Sequence, residues 1–161
     1  MSGMEERMGF SSPMVWHERA HKDHSILPQH WGYALDVAGM HRAKCQEDGV
    51  PLGALIRTVE LPEGCPDTVS GLYGPAAGDA PVPDDEVVME RRGERAWPDR
   101  LVDRPMRASR LLTIIAVPGP GDQLVCFTMY GGPMAPQNPE DPGNRDPEGA
   151  RVFWSQHALA R

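Results

Sequence analysis

The order of apolar and polar positions divides the chain into a helical front and a strand-rich remainder. Ser12-Pro13 reads as an N-cap followed by proline at the first helical position, and no breaker follows until Pro28, which predicts a helix over 13–24. Pro28 opens a second helix. In it Trp31, Leu35 and Ala38 share one face, Ala34, Val37 and His41 line the adjacent one, and Gly49 ends the run. The period then changes from helical to alternating. In LGALIRTVEL, 52–61, Leu55, Arg57, Val59 and Leu61 fall on one side and Ile56, Thr58 and Glu60 on the other, so a strand is predicted. VSGLY (69–73) and 86–90 predict shorter strands.

The strongest pattern is RLLTIIAV (110–117) and LVCFTMY (124–130) around PGPGDQ, an antiparallel hairpin. Both runs are nearly continuous in apolar residues, as central strands with covered faces are. The segments 75–85 and 133–149, the second with five prolines, read as loops. RVFWSQHALA then closes the chain as helix or strand, with Phe153 and Trp154 docked on the sheet. The expected fold class is α+β: an antiparallel β-sheet with N-terminal helices packed on one face and long Pro/Gly-rich loops. A length of 161 residues suits a single domain, 1–161, with residues 1–11 as a flexible N-terminus.

Charge sharpens this picture because it is unevenly placed. The net charge is −7, yet residues 91–110 hold seven arginines against three acids, while 51–90 hold one arginine against eight acids. A wide basic coat for nucleic acid is excluded, leaving a local phosphate or carboxylate pocket, or pairing of those arginines with the acidic stretch before them. Three well-separated cysteines, Cys45, Cys65 and Cys126, read as reduced thiols. The start lacks a signal-peptide core, and no apolar run approaches the roughly 20 residues of a membrane span, so a cytoplasmic protein with no membrane partner is expected.

Five of the six histidines fall between residues 17 and 41. On a helix over 13–24, His17, His21 and His24 would share one stripe, and their imidazoles would converge on a zinc-like divalent metal. His17-Glu18-Arg19-Ala20-His21 even matches H-E-x-x-H, with Glu18 as base. Only 16 residues precede His17, which leaves no room for the substrate-binding sheet of a zinc protease, and Arg19 and Lys22 bring positive charge to the proposed cation. The match is read as chance within a histidine-rich helix.

A second group joins Arg104, Arg107 and Arg110, at the entry to the first hairpin strand, with Thr128 and Tyr130 at the exit of its partner. Guanidinium groups grip phosphate, a phenol donates to a developing oxyanion, and a histidine exchanges the proton. The order of histidine-bearing N-terminal helices, Arg-led strand and a hairpin strand ending Thr128-Met129-Tyr130 resembles small bacterial ribonuclease toxins of the barnase and RNase-A-like contact-inhibition type. That resemblance implies metal-independent RNA cleavage by His, Arg, Thr and Tyr; the near absence of lysine departs from it.

The leading functional expectation is a small hydrolase acting on a phosphate-containing substrate, a small molecule or RNA. Its catalytic candidates are His17, His21, His24, Arg107, Arg110, Thr128 and Tyr130, with no cofactor. Two alternatives accompany it. One is a non-enzymatic acidic protein-interaction module, inhibitor-like or antitoxin-like, that meets a protein partner through 79–90 and 133–149. The other is a metal-binding module on His17, His21 and His24.

Overall fold

The computed structural model of the protein describes residues 12–22 and 25–161, and for His21 and Lys22 the backbone alone. In chain order the elements are β1 (Met14–Lys22), α1 (Pro28–Glu47), β2 (Leu55–Glu60), β3 (Thr68–Ser70), β4 (Leu72–Tyr73), β5 (Val87–Arg91), β6 (Pro98–Val102), β7 (Arg107–Ser109), β8 (Leu111–Gly119), β9 (Gln123–Gly131), α2 (Pro147–Trp154) and β10 (Ala158–Ala160). Two compact units result: residues up to Thr68 with Arg110–Gly131, and Val69–Ser109 with Gly132–Arg161.

The first unit is a four-stranded sheet in the order β1-β9-β8-β2 with α1 on one face. The class is mixed α and β, as expected, but one helix covers the sheet rather than two. Within the span expected to be a helix, 13–24, Met14–Lys22 is strand β1, and β1 runs parallel to β9, so the sheet is not wholly antiparallel; residues 23 and 24 lie outside the described residues. Tertiary pairing overrides the local pattern here. The Ser12 hydroxyl closes on the Met14 carbonyl at 2.8 Å instead of capping a helix, and Leu124 donates its N–H to the Pro13 carbonyl. Met14 and Trp16 then point into the core, where Trp16 stacks on Trp31 of α1 with ring centroids 4.5 Å apart.

Helix α1 follows its sequence pattern, with Pro28 in the first turn and Ala34, Val37 and Ala38 fully buried. Small residues bring the helix close to the sheet, against Leu112, Ile114 and Ala116 of β8 and Leu124, Cys126 and Met129 of β9. His30 fastens its start. Nδ1 of His30 accepts the Leu27 N–H at 3.0 Å and Nε2 donates to the Pro66 carbonyl at 2.7 Å, which places the ring proton on Nε2. Strand β2 turns Leu55 and Val59 inward, and the β8–β9 hairpin closes through Gly121 and Asp122, both at positive φ.

The second unit contains the sheet β4-β10-β6-β5 and the short ladder of β3 with β7. Strands β6 and β7 lie in the arginine-rich segment and were not expected, because prolines and charges mask their alternation. The C-terminal run supplies both alternatives read from it: α2, capped by the Asp146 side chain on the Gly149 N–H, and β10. The core holds Tyr73, Val82, Val102, Ala158 and Ala160. Residues 133–146 carry no helix or strand, in keeping with their prolines. No helix among the described residues is long and apolar enough to cross a membrane.

Two glycines that flank the 3-10 turn Pro75–Ala77 separate strain from crowding. At Gly74, φ is +132°, and an added Cβ would lie 2.4 Å from His157 Cδ2 and 2.8 Å from the Gln156 carbonyl oxygen. At Gly78, φ is +87° with open space around the position. Gly78→Ala should cost about 1 kcal/mol, from backbone strain alone. Gly74→Ala should cost about 3 kcal/mol or more, from strain and overpacking together. Urea unfolding midpoints of the two variants check the difference; equal losses would contradict it.

Candidate functional site

One residue of strand register decides which hairpin side chains can act together. Leu112, Ile114 and Ala116 of β8 face α1, and their partners are Gly131, Met129 and Cys126. Between Cys126 and Thr128 the ladder slips by one residue, a β-bulge. Strict alternation would place Thr128 and Tyr130 on the same face as Cys126, against α1. The bulge instead sends Phe127, Thr128 and Tyr130 to the face away from the helix, with Val125.

Across the strands on that face, Tyr130 pairs with Thr113 and Thr113 with Thr58, and the two threonine hydroxyls hydrogen bond at 2.8 Å. Thr128 pairs with Ile115 on one side, and on the other its backbone partner is His21 of β1. His17, earlier on β1, stacks on Phe127 with centroids 4.3 Å apart and 24° between the planes. Its Nδ1 accepts the Arg19 N–H at 3.0 Å. Strand pairing thus brings His17, Thr128 and Tyr130 to one sheet face, with the His21 backbone in register beside Thr128.

The other predicted residues are placed differently. His24 lies outside the described residues. His17 and His21 stand on strand β1 rather than on a helix, so the helical spacing expected to bring their side chains together does not apply there. Among the described residues, no group of three or more His, Cys, Asp or Glu side chains is placed to hold a metal ion.

Arg110 belongs to the first unit but turns toward the segment after β2. It donates to the carbonyls of Cys65, Pro62 and Leu61 and pairs with Asp67 at 2.8 Å. Arg107 belongs to the second unit, where both its NH groups reach Asp79 at 2.8 Å and one also reaches the Leu72 carbonyl at 3.0 Å. Its guanidinium also lies over the Tyr73 ring, 3.9 Å from the centroid. Arg104, expected beside them, pairs with Glu86 at 2.7 Å.

Arg100 pairs with Asp84 of the acidic stretch, Arg92 and Arg95 hold the buried Asp99 within the arginine segment itself, and Arg161 meets Glu90. Arg100, Arg104, Arg107 and Arg110 thus pair with the acidic stretch that precedes their segment. Asp79, Asp84, Glu86 and Glu90 of the acidic segment that the protein-interaction alternative invoked are engaged by the same bonds.

Two further groups were not read from the sequence. A small cleft in the second unit is lined by Met89, Pro98, Asp99, Arg100, Asn138 and Trp154. Its polar groups bond to one another or to neighbouring chain: Asp99 accepts from Arg92, Arg95 and Asn138, and Arg100 donates to the His157 carbonyl. His157 is buried, with Nδ1 donating to the Phe153 carbonyl and Nε2 accepting the Ala76 N–H, which makes it a structural strut. All three cysteines are free thiols, and burial pushes Cys126 up to about 11, so it packs as a small apolar side chain.

No protein-family model matches the chain, and no curated protein or solved structure resembles it at a significant level.

The Asp79–Arg107 pair carries a pH signature. The Arg107 hydrogen bonds hold the Asp79 carboxyl down at about 2, against an ordinary 3.8, helped by the Gly74 N–H and opposed by burial. A carboxyl depressed by folding stabilises the fold above its unfolded value, and that contribution is lost as pH falls through the folded one. The urea midpoint of the wild-type chain should therefore exceed that of Asp79→Asn by a constant margin above about pH 5, since both values are then passed. The margin should shrink steadily between pH 4 and 2. A margin independent of pH would contradict the pairing.

Proposed function

We propose that the chain is a small hydrolase acting on a phosphate-containing substrate, with its chemistry on the sheet face of the first unit turned away from α1. The observation that carries this reading is the bulge after Cys126, which sets Thr128 and Tyr130 on one face beside the imidazole-bearing strand β1. Bulges of this kind recur next to active sites because they re-aim side chains at small backbone cost. In this reading β1 supplies the acid/base imidazole, from His17 or His21, while the Tyr130 phenol and Thr128 hydroxyl donate to phosphoryl oxygens. Arg107 and Arg110 take no part: their bonds to Asp79, Asp67 and main-chain carbonyls make them structural. The reading requires no metal.

A second reading, a non-catalytic interaction surface, is favoured by one observation on the same face. Val15, Ile56 and Phe127 are exposed there at 36%, 54% and 38%.

Cleavage of a generic phosphodiester and of an unstructured RNA by the purified chain separates the two. Loss of one oxyanion donor in Tyr130→Phe should lower the rate roughly 10²- to 10³-fold. Loss of the acid/base imidazole in His17→Ala or His21→Ala should lower it roughly 10²- to 10⁴-fold in one of the two. The circular dichroism spectrum should stay native throughout. Absence of cleavage by the wild-type chain would move the assignment to the interaction surface, and full activity in Tyr130→Phe would remove the phenol from the chemistry.

A further inference from the structure

Phe127 occupies a place where an aromatic ring is ordinarily hidden. It lies on β9, an internal strand of its sheet, yet it is 38% exposed. The α1 side of this strand is filled by Cys126 and Met129, both fully buried, so the bulge has turned Phe127 out with Thr128. Its ring is not left as a lone apolar spot. The His17 imidazole stacks on it, and further along β9 the same face carries the hydroxyl-bearing Thr128 and Tyr130, with the apolar Val125 and Ile115 alongside.

Flat π-surfaces set beside hydroxyl donors fit one ligand chemistry well: an unpaired nucleobase, which stacks, attached to a sugar-phosphate, which accepts hydrogen bonds. A phosphate ester that carries no base has no use for the stacked pair, and a base inside a duplex cannot present its face to it.

Resting on the hydrolase reading for the phosphate, we propose that Phe127 and His17 form a base-stacking platform and that the substrate is a single-stranded nucleic acid. The platform fixes the strand by its base, and the adjoining phosphate then comes to the hydroxyls of Thr128 and Tyr130. Stacking tolerates any base, so little sequence preference is expected. The acidic total charge leaves affinity to depend on stacking more than on counterion release, which predicts a shallow salt dependence.

The test pairs a change in the protein with a change in the ligand. Two fluorescein-labelled RNA 12-mers are used, one with bases and one abasic over its central residues, and binding is followed by anisotropy. The wild-type chain should prefer the base-bearing strand by roughly ten- to a hundredfold. Phe127→Leu keeps apolar volume and removes the π-face, and it should erase that preference, whereas Phe127→Trp should keep it. Val152→Ser, at a highly exposed position on α2, serves as the unaffected control. Equal wild-type affinity for the two strands, or a preference that survives Phe127→Leu, overturns the platform. A Phe127-dependent preference with no cleavage of either strand supports the platform and overturns the hydrolase reading, so the two fail separately.

Discussion

The arrangement of the first unit depends on strand register, and above all on the single unpaired step in β9. Side chains alternate strictly along a strand, so one extra residue exchanges everything beyond it between the two faces. Upstream of the slip, Leu124 and Cys126 fill the space beneath α1; downstream, Met129 does so. The irregularity lets β9 keep an apolar core side over its whole length while gathering Val125, Phe127, Thr128 and Tyr130 opposite. Helix α1 approaches closely through Ala34 and Ala38, so that side has no room for a phenol or a phenylalanine ring. The bulge reconciles a tight helix–sheet contact with the bulk of the β9 sequence.

Charge is used in this molecule mainly for construction. Sequence reading placed an acidic stretch before an arginine-rich one and left open whether the arginines serve a ligand or their neighbours. They serve their neighbours, mostly at exposed or half-exposed sites where each pair adds little by itself. The Asp79–Arg107 fork is the exception in kind, since it combines bidentate geometry with a ring contact to Tyr73 and a tie to the Leu72 carbonyl. A residue type suited to gripping phosphate is equally suited to gripping carboxylate and main chain, and only coordinates separate the uses.

What could be read in advance followed from local periodicity. Helix α1, strand β2 and the hairpin each repeat their pattern over enough residues to reveal themselves, and Pro28, Gly49 and the PGPGDQ turn mark their ends. Strand β1 hid because its stability comes from a partner far along the chain, while Ser12-Pro13 imitated a helix start. The bulge hid for a different reason. VCFTMY alternates well enough to pass for a regular strand, and the one available signal was polar: regular alternation buries Thr128 and Tyr130 beside Cys126. The histidines clustered in sequence but not in space, since His30 and His41, on α1, bond to the main-chain carbonyls of Pro66 and Gly53 while His17 stands on β1.

Each unit is assembled from two separated stretches of chain, and β1 completes its ladder with residues about 110 positions further on. A ribosome making this protein releases Met14 and Trp16 long before Leu124 and Cys126 exist to receive them. The first unit cannot finish until most of Val69–Ser109 has been synthesised, and the second waits in turn for Gly132–Arg161. Until both stretches of the first unit exist, the apolar side of β1 has no partner to cover it, an interval of about 110 residues of synthesis.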